Sequence, residues 1–322
     1  MEQLFSLIGD EMADVEKRLD QSLRADVDLV HEVTRYMATV RGKRLRPALA
    51  ILCARASGTW HEGLVDGAVA IEMIHSATMV HDDIVDEADQ RRGKPTVNAR
   101  WDDRIAVLMG DFLLARALNM LIALGNLPAL AAVSRATERL SQGEIFEIQI
   151  GMRTDTSEAS YLAMVGDKTA SLITASCQIG PLLAGADEKV VQAMATYGEN
   201  LGLAFQIADD LLDFTSDAAT LGKPVGHDLR EGKLTLPLIK ALAAAGEEDR
   251  RAMEALLRRD DNQEAEWARI VAFVEDHGGL EAAGADARTY AGRARACLET
   301  LAPTPWRLAL EKAVELVVER KN

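Results

Sequence analysis

The sequence HDDIVD, residues 81–86, places three acids, Asp82, Asp83 and Asp86, at the end of an apolar stretch. On a helix, residues four apart share a face, so the carboxylates of Asp82 and Asp86 project together. Like charges so placed repel and call for a cation, and hard oxygen ligands that leave room for bound water suit Mg²⁺. A single motif of this kind also reads as a solvated helix end. The spacing recurs at Asp209, Asp210 and Asp213, where Phe205, Ile207, Leu211, Leu212 and Phe214 make the helix apolar nearly all round. Buried carboxylates need partners. Asp102-Asp103 is followed at the matching position by Ala106, and Asp260-Asp261 by Glu264 within the wholly polar DDNQE, so both pairs read as surface charge. Two such clusters facing across a helical bundle would hold several divalent ions between them.

Positive charge gathers elsewhere. RGKRLRP supplies Arg41, Lys43, Arg44 and Arg46, and Arg91, Arg92 and Lys94 follow the first acidic motif. A guanidinium binds phosphate oxygens in bidentate fashion and an ammonium adds a point charge, so these side chains with metal ions suit two highly anionic groups. The first cluster also reads as an exposed basic turn before a helix started by Pro47. GKPVGHDLREGKLTLP, with Lys223 and Lys233, also reads as a flexible turn. Neither GxxxxGK[ST] nor GxGxxG occurs there, which excludes a nucleotide loop. His75, inside IEMIHSATMVHDD, is either a ligand or a hydrogen-bonded core residue.

The elements that must position these groups are helices. Apolar residues recur at three-to-four spacing along nearly the whole chain, with no alternating run long enough for a sheet. The predicted helices are 1–20, 25–40, 44–56, 62–88, 98–123, 127–150, 157–184 and 187–215, with more beyond, and breaks at RRGKP, GNLP, LGKPVGHD and HGG. The segment 245–266 reads as a surface helix plus loop. Of the 322 residues, 48% are apolar, 27% charged and only 4% aromatic, which excludes disorder and disfavours an all-β fold. The expectation is an all-α protein, one large helical bundle with a central cavity over residues 1–322, because no Ser/Gly/Pro linker interrupts it.

A net charge of −15 opposes binding to nucleic acid or anionic lipid. Cys53, Cys177 and Cys297 are widely spaced with no CxxC pair, so neither a disulfide framework nor a zinc site is expected, and a reducing cytoplasm fits. The N-terminal twenty residues read as an amphipathic helix rather than a signal peptide. Two uncharged stretches, 117–134 and 169–186, reach the length of a membrane span, but GNLP and Gly180-Pro181 break them, so both read as buried helices.

Taken together the motifs resemble the trans-isoprenyl diphosphate synthases, or polyprenyl synthetases. The resemblance rests on GKRLRP (42–47), DDIVD (82–86), RRGKPTVN (91–98), GD (110–111), KTA (168–170), FQIADDLLD (205–213) and GKPVGHDLREGKLTLP (222–237), in family order. Arg41 stands where the family often has a glycine, and His227 where a small or amide residue is common. The resemblance implies the helical isoprenoid-synthase fold and Mg²⁺ bound to an allylic diphosphate by Asp82, Asp83 and Asp86, with Asp209, Asp210 and Asp213 completing the metal site. It implies Lys43, Arg46, His75 and Arg92 on the isopentenyl diphosphate, and Arg91, Lys168, Thr169, Gln206, Lys223 and Lys233 on the allylic side. Asp82, Asp83, Asp86, Lys168, Gln206 and Asp209 would carry the catalysis.

These groups suit ionisation rather than acid–base work. Cations draw charge onto the diphosphate as the carbon–oxygen bond breaks, leaving an allylic cation. The family's reaction continues with attack by isopentenyl diphosphate and loss of a proton, one five-carbon unit per cycle. Water must be excluded, and residues 221–232 are the expected flap, with Arg320 and Lys321 a second choice. The product would extend along the helix that precedes Asp82, one turn of roughly 5.4 Å per unit. Ala77, Thr78 and Ile74, then Ala70 and Gly67, offer no aromatic block, so the resemblance implies a long chain, octaprenyl to decaprenyl, for quinone side chains. Ala77 also reads as a close helix contact.

The expected partners are isopentenyl diphosphate, an allylic diphosphate such as farnesyl diphosphate, a second copy in a homodimer, and brief membrane contact at product release. The alternatives are a shorter-chain farnesyl or geranylgeranyl diphosphate synthase, a terpene cyclase of similar architecture, a non-catalytic partner subunit, and a calcium-binding helical scaffold. DDLLD argues against the cyclase, and the intact acids and cations argue against the partner subunit.

Overall fold

A computed structural model describes residues 6–40, 42–151, 156–215, 226, 229, 232–258 and 263–319. It is all-helical apart from one two-stranded ribbon among these residues. The chain forms two compact units: residues 1–137, 172–198 and 297–313, and residues 138–171, 199–296 and 314–322.

The first unit contains α1 (Gly9–Ser22), α2 (Asp28–Met37), α3 (Leu45–Ala56), α4 (Leu64–Val85), a short α5 (Val97–Arg100) and α6 (Asp103–Ala123). It takes the first part of α7 (Leu127–Gly151), most of α9 (Ser171–Leu183) and the start of α10 (Glu188–Thr215). α3 and α4 are apolar over most of their surface and correspondingly buried, with Leu49, Ile51, Leu52, Ile71, Met73 and Ile74 almost inaccessible. The acid pair Asp102-Asp103 begins α6: Asp102 Oδ1 accepts from Ile105 N at 2.8 Å, an N-cap rather than idle surface charge.

The predicted break at RRGKP is a hairpin. β1 (Gln90–Arg91) pairs antiparallel with β2 (Lys94–Pro95), Arg91 opposite Lys94. The two-residue loop has φ of +52° at Arg92 and +72° at Gly93. Two positive φ values twist a tight turn the way the strands twist, and glycine makes the second one inexpensive.

The second unit holds the rest of α7 and α10, with α8 (Glu158–Val165), α11 (Leu236–Ala244), α12 (Glu247–Leu257), α13 (Gln263–Asp276) and α14 (Gly279–Cys297). Its core joins Tyr161, Met164 and Val165 of α8 to Leu203 and Ile207 of α10, Leu236 and Ile239 of α11, and Ala283 and Ala287 of α14. The helix predicted over 157–184 is interrupted by a single π turn, Gly166–Ala170, between α8 and α9. α15 (Pro305–Val318) is shared between the two sets of residues.

Neither predicted hydrophobic stretch is a continuous span: 117–134 includes the turn between α6 and α7, and 169–186 includes the π turn and runs past the end of α9. The one described helix long and apolar enough to cross a membrane is instead α6, with 39% of its window buried. Cys53 and Cys177 are buried free thiols, and Cys297 is a partly exposed one.

Candidate active site

In the first unit the acids of the first motif sit at the C-terminus of α4, where the helix dipole is negative and no basic side chain lies in the last turn. Three carboxylates there raise the local negative potential and favour a cation. The motif divides. Asp82 is half-buried and Asp86 is exposed. Asp83 is 5% exposed and accepts from Arg91 Nε at 2.7 Å. Burial holds Asp83 above the ordinary carboxylate value even with Arg91 beside it.

The hairpin delivers Arg91 and Arg92 to this place. Tyr36 donates its hydroxyl to Pro95 O at 2.6 Å and Lys94 Nζ donates to Thr39 O at 3.0 Å, which ties the ribbon to the end of α2 and the turn after it. Arg92 Nη1 donates to Val40 O at 3.1 Å. A cavity is lined there by Tyr36, Gly42, Arg44, Glu72, His75, Asp83, Arg91 and Arg92, with Met79, Val80 and Val97 as apolar wall.

Arg44 precedes α3 with a left-handed φ of +50°, uncommon without glycine. Its guanidinium donates to Glu16 Oε1 at 2.7 Å and Glu72 Oε1 at 2.8 Å. Burial opposes its charge, and the two carboxylates outweigh burial. Arg46 differs: its Nε is buried with no hydrogen-bond partner among the described residues, and burial lowers its pKa despite nearby Glu72. Burial, then the charges of Arg46, Arg91, Arg92 and Arg44, push His75 well below its ordinary value, so it is neutral at pH 7. A neutral imidazole in a cavity walled by Arg44, Arg91 and Arg92 suits an anion; Arg46 is close enough to act on His75 but does not line the cavity.

In the second unit the acidic motif of α10 divides too, but with two acids buried rather than one. Asp209 is exposed, whereas Asp210 and Asp213 are each 2% exposed. Asp210 accepts from the Tyr161 hydroxyl through Oδ2 and from Gln206 Nε2 through Oδ1, the latter at 2.9 Å. Gln206 Oε1 in turn accepts from Thr169 Oγ1 at 3.0 Å. This chain fixes the orientation of the Gln206 amide. Lys168 Nζ donates to Glu147 at 2.5 Å and lies 2.9 Å from Glu144, with Lys233 Nζ 3.6 Å from Glu147. Burial opposes the Lys168 charge, but Glu147 and Glu144 outweigh it and hold the pKa above its ordinary value. Glu147, Tyr161, Lys168, Thr169, Gln206, Asp209, Asp210 and Lys233 line one cavity, whose remaining walls include Ile150, Met164, Val165 and Leu234.

Among the predicted residues, the structure thus brings Lys168, Thr169, Gln206, Asp209, Asp210 and Lys233 to one cavity and His75, Asp83, Arg91 and Arg92 to another. Arg91, which the resemblance implies on the allylic side, shares its cavity with His75 and Arg92. Lys43 is exposed and lines neither cavity. Lys223, Arg41 and His227 lie outside the described residues, as do Arg320, Lys321 and most of 221–232. Ile74 and Ala77 are packed in the core, and Thr78 Oγ1 donates to His75 O at 3.0 Å. A Cβ on Gly67 would lie 2.8 Å from Ile179 Cδ1, so the small residue there serves close packing.

Sequence reasoning missed Tyr161, Glu144, Glu147 and Glu72. Glu72 had a signal: it is the sole charge in GAVAIEMI, residues 67–74, and such an acid needs a partner. Tyr161 and the two glutamates of α7 carried none. Among the described residues no three carboxylate, imidazole or thiol groups converge to hold a metal ion by themselves. The separate carboxylates of the two motifs fit a divalent ion that keeps several waters and is bound through one or two carboxylates plus substrate phosphates.

Comparison with known proteins identifies the family. The polyprenyl synthetase family model matches residues 27–274. The chain is 37% identical over 320 residues to the octaprenyl diphosphate synthase of Escherichia coli K12, covering 99% of each. It is also similar to two solved structures. The polyprenyl synthase of Caulobacter crescentus CB15, complexed with calcium and isoprenyl diphosphate, has a TM-score of 0.93, 36% identity, and coverage of 100% of this chain and 98% of that one. A decaprenyl diphosphate synthase of Rhodobacter capsulatus has a TM-score of 0.94, 36% identity, and coverage of 100% and 99%.

Proposed function

Because the chain belongs to the polyprenyl synthetase family and is a prenyltransferase, we propose that it extends an allylic diphosphate, farnesyl diphosphate or similar, with successive isopentenyl diphosphate units to an all-trans octaprenyl-to-decaprenyl diphosphate. The observation that carries the reading is that each unit sets an aspartate motif beside a cation-lined cavity. In the first unit Arg46, Arg92 and the neutral His75 take the diphosphate of isopentenyl diphosphate, with Arg91 held ready by Asp83. In the second, Lys168 and Lys233 exchange Glu147 for oxygens of the allylic diphosphate, while Tyr161 and Asp210 hold Gln206 in place. Asp82, Asp86, Asp209 and Asp213 are the proposed ligands for Mg²⁺, with Asp83 and Asp210 turned to protein partners. Mg²⁺, when bound, neutralises charge on the departing diphosphate.

The apolar side chains of the second cavity keep water from the allylic cation, which would otherwise be trapped as an alcohol. The proton released after condensation passes to the departing diphosphate. We place the limit on chain length at Ile74, Ala77 and Thr78. Val107, Leu108, Leu118 and Ile122 leave α6 with exposed apolar side chains, Leu108 at 63%, and we assign that face to a second copy of the chain in a homodimer. The proposed compartment is the reducing cytoplasm, with brief membrane contact as the apolar product leaves.

Incubation with Mg²⁺, isopentenyl diphosphate and farnesyl diphosphate, followed by dephosphorylation and mass analysis, tests the reading. The expected result is a ladder ending at eight to ten units, abolished by a chelator. A stop at three or four units overturns the long-chain assignment, and no elongation with any allylic starter overturns the synthase.

A further inference from the structure

The π turn Gly166–Ala170 carries Lys168 and Thr169 into the second cavity. An i→i+5 turn is an inserted residue in an α-helix, with poorer hydrogen bonding, and persists only where its surroundings enforce it. Relaxing it to α geometry would rotate the residues on one side of it by about 100°, which would take Lys168 and Thr169 out of the cavity.

One side chain outside the cavity grips this turn. Arg139, on α7, donates through Nη2 to Gly166 O at 3.1 Å and through Nε to Asp167 Oδ1 at 2.7 Å. The same guanidinium donates to both oxygens of Glu199 on α10, at 3.0 and 3.3 Å. It therefore joins α7, the π turn and α10 within the second unit. The backbone is clamped at the same level. A Cβ on Gly143 of α7 would lie 2.4 Å from Lys168 N, and a Cβ on Gly202 of α10 would lie 2.6 Å from Ala170 Cα. Ser171 Oγ donates to Asp167 O at 2.6 Å, which satisfies a second carbonyl of the turn.

We propose that Arg139 is a positioning residue: through Gly166 O, Asp167 and Glu199 it holds the π turn that aims Lys168 and Thr169 at an anionic ligand. The identity of that ligand as a diphosphate rests on the function proposed above; the positioning role rests on the clamp. The opposing view is an ordinary surface ion pair, since the Arg139 side chain is 38% exposed. Such pairs contribute little and act independently of a neighbouring cavity.

A double-mutant cycle separates the two, with Arg139→Gln, Lys168→Ala and the double variant titrated by calorimetry with inorganic diphosphate and Mg²⁺. The expected result is about a tenfold weakening by Arg139→Gln of the diphosphate binding that Lys168→Ala also weakens, with less than about a twofold further effect in the Lys168→Ala background. In prenyl transfer, kcat and the KM for the allylic diphosphate change while the KM for isopentenyl diphosphate stays within about twofold, and Arg139→Lys recovers part of the loss. Full multiplicativity of the two substitutions, or unchanged diphosphate binding, overturns the proposal. Should Arg139→Gln fail to fold, Glu199→Gln keeps the Asp167 and Gly166 bonds and enters the same cycle with a smaller effect. Failure of the wild-type protein to transfer prenyl groups would overturn the proposed function alone, because the binding cycle does not require turnover.

Discussion

Both cavities are lined by cations that hold carboxylates, but the first adds Arg92 and a neutral His75 to them. In the second unit Lys168 already has two carboxylates, Glu147 and Glu144, and its pKa is held above the ordinary value. In the first, the carboxylates pair with the arginines of the wall, Arg44 with Glu16 and Glu72, Arg91 with Asp83, while burial lowers Arg46, and burial and then the arginines push His75 down. An anion entering the first cavity finds Arg92, whose described hydrogen bond goes to the backbone carbonyl of Val40, beside arginines that hold carboxylates. One entering the second must displace a carboxylate. The first arrangement favours tight capture, the second favours exchange, which suits a site from which diphosphate departs in every cycle.

The contrast can be broken most forcefully at Glu72. Its side chain is 5% exposed and that of its partner Arg44 is 13% exposed. Glu72→Gln leaves Arg44 and Arg46 buried with less compensation, and removal of one member of a buried pair costs about 3–5 kcal/mol. Denaturant unfolding of the variant is expected to show a loss at the lower end of that range, since Glu16 remains. A loss under about 1 kcal/mol would mean that the first cavity does not depend on its paired arginine for stability.

In the second cavity the comparable change should act on binding instead. Glu147→Gln frees Lys168 from one competitor, so inorganic diphosphate with Mg²⁺ is expected to bind about fivefold more tightly, near 1 kcal/mol, with slower release of product. Weaker binding in calorimetry would show that Glu147 positions Lys168 for the ligand rather than competing with it.

The smallest effect belongs to His75. Its folded pKa lies well below the ordinary 6.5. The unfolded chain therefore takes up a proton that the folded one refuses, so the stability this group confers is complete above about pH 6.5 and is lost as pH falls towards the folded value. A bound diphosphate offsets the arginine charges and raises the His75 pKa. Binding of isopentenyl diphosphate at pH 6 is then accompanied by uptake of a fraction of a proton, read by calorimetry in buffers of different ionisation enthalpy. Equal uptake by His75→Asn would remove His75 from the cavity's electrostatics.

Most helices were legible because they depend on periodicity and on punctuation by Gly and Pro. The expected 44–56, 127–150 and 187–215 are found at Leu45–Ala56, Leu127–Gly151 and Glu188–Thr215. The break at RRGKP was legible through Gly93, but its form as a hairpin with Arg92 at positive φ was not, since arginine has no preference for that conformation. The membrane-length stretch was misplaced for a related reason. Counting uncharged residues favours 117–134 and 169–186, whereas mean hydropathy averages over the charges of α6 and selects Asp103–Ala123.

The candidate site was legible to the extent that it is written in short motifs. Two aspartate triplets and the basic RRGKP specify their chemistry by residue type and spacing, whereas the roles of KTA and of Gln206 came only with the resemblance to polyprenyl synthetases, which followed from the order of the motifs along the chain. Nothing in RGKRLRP distinguishes Arg44 from Arg46, because the difference lies in Glu16 and Glu72, which come from separate helices. Nothing in VGDKTA marks a π turn, since Gly143, Gly202 and Arg139 impose it from α7 and α10. Local sequence determines helix content, the acidic and basic ligand types and their faces, because those follow from backbone propensity and a period of 3.6 residues. The assignment of each charge to a ligand or to a structural partner came only with the tertiary structure, because desolvation and ion pairing depend on residues brought together from distant parts of the chain.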